Sequence, residues 1–194
     1  MPLVALEGID KSGKDTQARI LEKKFVSMNI DVKCVAFPDY ETPIGKEINR
    51  FLQGKLNLRP EVRQLLYVAN RWERQRDIDE WLRRKTIVIA DRYIPSGLAY
   101  GLANGLNLNW MLNLEKGLPV ADVVILIDIS PETSYGRDRK KDIYEKDLVF
   151  LEKVRSSYHE LAKRFNRTII NGEVGVRKVS QEIWKSIQTS IKIE

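Results

Sequence analysis

Gly8-Ile9-Asp10-Lys11-Ser12-Gly13-Lys14-Asp15-Thr16 is the stretch of this sequence with the plainest chemical use. Four residues separate its two glycines, and a lysine follows the second. Glycines let the backbone wrap around phosphates, and free N–H groups at the start of a following helix face the anion. Lys14 then has the reach for the β- and γ-phosphates. The position after that lysine ordinarily holds Ser or Thr, whose hydroxyl ligates Mg²⁺, but here it holds Asp15. A carboxylate can bind a hard cation directly or through water; it can also simply favour the positive end of a helix. Thr16 is no direct substitute, because one residue along a helix turns a side chain by about 100°. The expectation is a nucleotide-phosphate cradle with an atypical metal position. Such a loop by itself does not fix the reaction, since many activities share it.

Further candidates lie later in the chain. Asp91-Arg92 follows the apolar run Thr86-Ile87-Val88-Ile89-Ala90, so both charges should stand at the edge of a sheet. Arg92 offers a two-pronged fork to a phosphate; Asp91 could hold Mg²⁺ through water, steady its neighbours or form a structural ion pair. Tyr67 and Arg71 are four residues apart, hence on one face of a helix. A ring beside a guanidinium suits a pyrimidine, and it equally suits a packed helix with a solvated arginine. Arg137-Asp138-Arg139-Lys140-Lys141 is either a solvated charge run or an anion clamp. The lone His159 reads as a surface residue, and Trp72 and Trp81 as core or interface.

The elements that must position these groups follow from hydrophobic patterning. Leu3–Leu6, Asp31–Phe37, Thr86–Ala90, Val123–Ile127 and Thr168–Ile170 read as strands, the third and fourth buried on both faces. Helical patterns cover about 14–28, 43–53, 60–84, 94–104, 107–116, 131–138, 146–165 and 175–191. This alternation predicts an α/β fold with a parallel sheet between two helical layers, in one domain spanning 1–194. In open sheets of this kind ligands bind beyond the carboxyl ends of the strands, where every candidate above falls. No apolar run nears the roughly 20 residues that span a bilayer. Met1-Pro2-Leu3-Val4-Ala5-Leu6 has no basic region of signal-peptide type, and Cys34 is the only cysteine. The expected compartment is the cytoplasm. The net charge of +6 admits anionic partners of any size.

Taken in order, the landmarks resemble the thymidylate kinase family of P-loop nucleoside monophosphate kinases. They are Leu6-Glu7-Gly8-Ile9-Asp10, Phe37-Pro38, Thr42-Pro43-Ile44-Gly45-Lys46 and Leu66-Tyr67-Val68-Ala69-Asn70-Arg71-Trp72-Glu73. Asp91-Arg92-Tyr93 with Ser96, Ala99 and Tyr100, then Gly117-Leu118-Pro119, Ala121-Asp122 and Gly136-Arg137-Asp138-Arg139 with Tyr144-Glu145, complete the series. The resemblance covers roughly residues 3–170. It implies a five-stranded P-loop fold with a short basic lid at about 136–145, transfer of the γ-phosphate of ATP to dTMP with Mg²⁺, and a homodimer packed through helices including the long one.

The resemblance also implies roles. Gly8 to Thr16 and Arg137 would hold ATP; Arg92 would bind the acceptor phosphate, Tyr67 would stack on thymine, and Arg71 would reach its O4. Phe37, Pro38, Ser96, Gly97 and Tyr144 would wall the dTMP pocket. Asp10 would contact the sugar 3′-hydroxyl, and Tyr100 would crowd the 2′ position. Lys14, Arg92, Lys11, Arg137, Arg139 and Asp91 are the expected catalytic set, and Asp15 and Asp91 the expected metal-linked carboxylates. Asn171-Gly172-Glu173-Val174-Gly175 could border the adenine. Two positions depart from the family pattern: Ile143 stands where lids often carry an arginine, and Tyr40 where some relatives place one, with Arg50 an unplaced spare. Another deoxynucleoside or nucleotide kinase, accepting dUMP for instance, is the nearest rival. A P-loop switch or nucleic-acid motor would call for an Asn-Lys-x-Asp motif or an interleaved basic and aromatic tract, and neither occurs. The expected partners are therefore small nucleotides, not nucleic acid or membrane.

Overall fold

The three most apolar strand segments need cover on both faces, and the chain order of strands and helices supplies it. The computed structural model describes residues 2–137, 143–144 and 147–191. β1 (Leu3–Glu7), β3 (Ile87–Asp91) and β4 (Val123–Asp128) form the middle of a parallel five-stranded sheet. β2 (Val32–Ala36) and β5 (Thr168–Asn171) lie at its edges, in the order β2-β3-β1-β4-β5. β1 is buried along its whole length, whereas Lys33, Cys34 and Ala36 of the edge strand β2 meet solvent. An edge has one free side, so polar Lys33 can be kept there.

Two helical layers close the faces. On one, α1 (Lys14–Ser27) and α8 (Val176–Ser190) set Leu21, Phe25, Ile183 and Ile187 against Val4, Leu6, Ile89 and Ile125. On the other lie α3 (Pro60–Arg83), α4 (Ile94–Ala103), α5 (Leu108–Leu114) and α7 (Leu148–Arg164). Ile78 of α3 meets Leu3, Ala5 and Val88; Leu98, Met111 and Val154 join Leu126. Each such fully buried side chain is worth about 1.5–3 kcal/mol over its exposed state. α2 (Pro43–Leu52) packs outside α3, and α6 (Pro131–Gly136) follows β4. The expected three-layer α/β architecture is present, with helix ends within two residues of the pattern read from the sequence.

Register decides what meets at the top of the sheet. Leu6 pairs with Asp91 across β1 and β3, and Glu7 with Leu126 across β1 and β4. The loop after β1 and the Asp91-Arg92 corner after β3 therefore emerge side by side. Side chains of Thr42, Asn107, Ser130 and Asp147 accept from the first-turn N–H groups of α2, α5, α6 and α7. α1 has no side-chain cap; Gly13, at φ 96°, turns the chain into it and leaves its first N–H groups facing outward. Among the described residues no helix is long and apolar enough to cross a membrane.

Candidate active site

Arg92 is the centre of the site. Its backbone sits at φ 66°, a left-handed conformation that a side chain bearing a Cβ adopts at a cost of order 1–3 kcal/mol. That turn swings the guanidinium back over β1. Nη1 donates to the Gly8 carbonyl (2.8 Å), Ser96 Oγ (3.2 Å) and Tyr158 Oη (3.1 Å), while Nη2 donates to Asp10 Oδ1 (2.7 Å). A guanidinium has five N–H donors. Among the described residues Nε has no hydrogen-bond partner, which leaves that side of the guanidinium open to an anion. Only 12% of the Arg92 side chain is exposed. Burial opposes its charge, but Asp10 and the oxygens of Tyr100 and Tyr158 outweigh that and hold it well above the usual arginine range.

The acid below it is Glu7, the last residue of β1 and 1% exposed. Its carboxylate accepts from the Tyr93 N–H (2.8 Å) and from Ser96 Oγ (2.5 Å), and Ser96 lies 2.6 Å from Tyr158 Oη. Burial pushes the Glu7 carboxyl above its ordinary range, against the pull of Ser96, Arg92 and Lys14. Asp10 is the opposite case. Burial would raise it, yet Arg92, Lys14 and Tyr100 bring it down to about 2. Tyr100 donates to Asp10 Oδ2 (2.7 Å), so Asp10 ties the P-loop to both the β3 corner and α4.

Two cavities open on either side of this cluster. The first is aromatic, bordered by Phe37, Pro38, Tyr67, Arg71, Tyr100 and Tyr144, with Ser96 and Gly97 at its floor. The peptide between Phe37 and Pro38 is cis. Asn70 stitches this loop to α3: it accepts from Asp39 N (2.8 Å) and donates to Thr42 Oγ1 (2.8 Å). Arg74 adds an ion pair with Asp39 at 2.6 Å. Arg71 is buried, not solvated: Nε donates to Glu115 Oε2 (3.0 Å), and Nη2 pairs with Glu115 Oε1. This clamp fixes the guanidinium and leaves Nη1 for a ligand. Gly97 is small for a reason, since a Cβ there would stand 2.9 Å from Arg71 Nη2.

The second cavity, about 610 Å³, is polar and follows the P-loop from Asp10 through Gln17. Asp91, Arg137 and the 172–176 segment complete it. Lys14 Nζ donates to the Ile9 carbonyl (2.8 Å) and Ser12 Oγ (3.2 Å). Burial, then repulsion from Arg92, lowers it to about 8 against the pull of Asp91, Asp10 and Glu7. Arg137 Nη1 donates to the Lys11 carbonyl (2.8 Å), which Lys11 presents from a left-handed turn (φ 59°). Asp15 borders the cavity, but its side chain is 66% exposed and paired with Arg19 at 3.0 Å. Among the described residues no hydrogen bond or ion pair engages the Asp91 carboxylate.

Most of the expected residues therefore meet around Arg92. Gly8, Ile9 and Thr16 lie in the same loop and helix start. Arg139 and the lid residues 138–142 and 145–146 fall outside the described residues. Arg50 is paired with Glu47 on the exposed side of α2, away from both cavities. His159 sits 3.1 Å from Asp128, beside the two-pronged Arg155–Asp128 pair, and borders neither cavity. Glu7, Glu115 and Tyr158 were not among the expected site residues. A carboxylate ending an otherwise apolar strand was the available signal for Glu7; nothing local distinguishes Glu115 or Tyr158.

A parallel sheet with a Gly-x4-Gly-Lys turn feeding an uncapped helix, and a buried arginine beside it, defines a P-loop nucleotide-binding protein. The family model described as "Thymidylate kinase" matches residues 6–183. Thymidylate kinase of Dictyostelium discoideum is 34% identical over 97% of this chain and 86% of its own length. That of Schizosaccharomyces pombe is 37% identical over 84% and 78%. The solved structure of the Candida albicans thymidylate kinase superposes with a TM-score of 0.86 at 33% identity, covering 97% of this chain and 91% of that one. The chain belongs to the thymidylate kinase family.

The depressed Lys14 has a measurable consequence. Above pH 8 the free protein carries a largely neutral Lys14, and a polyphosphate beside it favours the charged form. ATP binding should therefore take up protons above pH 8 and weaken as pH rises further. Calorimetry at about pH 8.5 in two buffers of different ionisation enthalpy reads this uptake directly. Lys14→Met should abolish it. Binding with no proton uptake in the unaltered protein would contradict the assignment.

Proposed function

We propose that the chain transfers the γ-phosphoryl group of ATP to dTMP, giving ADP and dTDP. The observation that carries this reading is that Asp10 and Arg92 border both cavities, the polar one on the P-loop and the aromatic one beyond it. A γ-phosphate in the polar cavity and a monophosphate in the aromatic one would meet at Arg92. An acceptor oxygen attacks the γ-phosphorus in line; the new P–O bond forms as the bond to the β-phosphate bridging oxygen breaks and ADP leaves. The acceptor is already an anion near neutral pH, so positioning and charge stabilisation suffice without a strong base.

Lys14 faces the β- and γ-phosphates, with Lys11 beside it, and Arg137 steadies the loop by holding the Lys11 carbonyl. Arg139 would join them from the lid, taken as about 136–145 of a single domain. Tyr67 stacks on the pyrimidine, and Arg71 offers Nη1 to its O4. Phe37, Pro38, Ser96, Gly97 and Tyr144 wall the pocket, and Tyr100 with Asp10 faces the sugar. The oxygen donors at the polar cavity suit Mg²⁺, which prefers one or two carboxylates with phosphates and water completing its shell. Asp91 would hold it, and Asp15 could join by releasing Arg19. When bound, the ion supplies charge neutralisation on the phosphates.

Val62, Leu65 and Trp72 line one face of α3 and are each more than 40% exposed. We assign this face to a homodimer contact, in a cytoplasmic enzyme whose ligands are small nucleotides. Sedimentation should give about twice the 22.5 kDa chain mass, and Leu65→Asp should halve it; a monomer at tens of micromolar would remove the assignment.

Acceptor choice rests on little free energy. One methyl in an apolar pocket is worth about 1–3 kcal/mol, so dUMP should be accepted at 10- to 200-fold lower kcat/KM. The Candida albicans thymidylate kinase has broad substrate specificity, which agrees with a permissive pocket of this kind. ADP release with dTMP, dUMP, dCMP, UMP and thymidine tests the reading, and dTMP should lead. Turnover of thymidine but not dTMP, or of no nucleotide at all, would overturn it.

A further inference from the structure

Arg63 is a partly buried cation on α3 that does not border the acceptor pocket, yet it holds a residue that does. Nη1 donates to Tyr144 Oη at 2.9 Å and Nη2 to Asn104 Oδ1 at 3.1 Å. The guanidinium also lies over the Phe51 and Tyr144 rings, 5.2 and 5.8 Å from their centroids. Tyr144 is buried and stacked on Phe150 (5.0 Å, 16° between planes), with its edge toward Tyr100 at 5.4 Å. Its neighbour Ile143 donates its N–H to the Leu52 carbonyl at 3.3 Å.

These contacts join three parts of the chain that sequence separates widely. Arg63 comes from α3, Tyr144 from the segment between α6 and α7, and Asn104 from the end of α4. Asn104 in turn donates to the Tyr100 carbonyl at 2.7 Å, and Tyr100 donates to Asp10. One fork thus fixes both Tyr144 and the helix end carrying Tyr100, two touching rings that both line the pocket. The position next to Tyr144 holds Ile143, and among the described residues α3 supplies a cation at this ring.

We infer that Arg63 is a positioning residue for the acceptor site: its guanidinium pins Tyr144 and, through Asn104, Tyr100 in the wall that the monophosphate packs against. This rests on the reading of the aromatic pocket as the acceptor site. Arg63 sets how tightly the acceptor is held and leaves the ATP side unchanged, because neither of its bonds reaches the P-loop directly.

Steady-state kinetics on the unaltered chain, Arg63→Met, Arg63→Lys, Tyr144→Phe and the Met/Phe double variant test this. Arg63→Met should raise the KM for dTMP by about tenfold, with that for ATP changing less than about twofold. Lysine, which can reach one acceptor but not form the fork, should recover part of the loss. Tyr144→Phe, keeping the ring and removing the bonded hydroxyl, should raise KM for dTMP in the same direction, and the double variant should be no worse than Arg63→Met alone. Unchanged KM for dTMP, equal increases for both substrates, or fully additive losses would overturn the inference. If Arg63→Met does not fold, Tyr144→Phe decides alone, and an unaltered KM there sinks the idea. Failure of the unaltered protein to use dTMP would instead strike the functional reading itself.

Discussion

A buried guanidinium must be surrounded by oxygens or it is not tolerated, and the architecture of this site follows from meeting that demand at Arg92. Isolated charges in a protein interior cost several kcal/mol each, whereas a paired and hydrogen-bonded one is affordable. The Gly8 carbonyl, Asp10, Ser96 and Tyr158 surround Nη1 and Nη2 from three segments, the P-loop, α4 and α7. The three side-chain oxygens are themselves placed by further contacts: Ser96 and Tyr158 by Glu7, Asp10 by Tyr100. The left-handed turn at Arg92 is the local strain that buys this arrangement. Arg92, so held, borders both cavities.

The same logic recurs at Arg71. Glu115 neutralises it and fixes its orientation, converting a flexible side chain into a rigid donor at the pocket wall. Breaking such a buried pair from one side costs about 3–5 kcal/mol, so position and stability are linked there. The sheet provides the common reference frame. β1 delivers Glu7 and the P-loop, β3 delivers Asp91 and Arg92, and their parallel register brings the two within hydrogen-bond reach. Preorganisation of this kind keeps donors fixed where charge develops, which is the main source of rate in phosphoryl transfer.

Periodicity alone was enough for the fold, because long apolar strands and amphipathic helices alternate without ambiguity. The P-loop was legible for a similar reason: its constraints are local, and glycine spacing encodes them. Arg92 could be placed at the sheet edge because a charged pair ended an apolar run. Its partners could not be read so easily. Tyr158 reaches it from 66 residues away and Arg63 meets Tyr144 across 81, contacts that depend on helix packing and not on any local pattern. Arg71 was legible as one face of a helix with Tyr67, yet its burial was not, since Glu115 lies 44 residues on. Asp15 marks the limit differently: its identity was plain, but its pairing with Arg19 is an i,i+4 contact that competes with the metal role its position suggested.

An arginine that holds a phosphate anion in the acceptor pocket should reveal itself in ligand binding. Calorimetric affinities for dTMP and thymidine should be compared in the unaltered protein and in Arg92→Met. The unaltered protein should prefer dTMP by about a hundredfold or more, and the variant should lose most of that preference while still binding thymidine. An undiminished preference for dTMP in Arg92→Met would contradict a phosphate-holding role for Arg92.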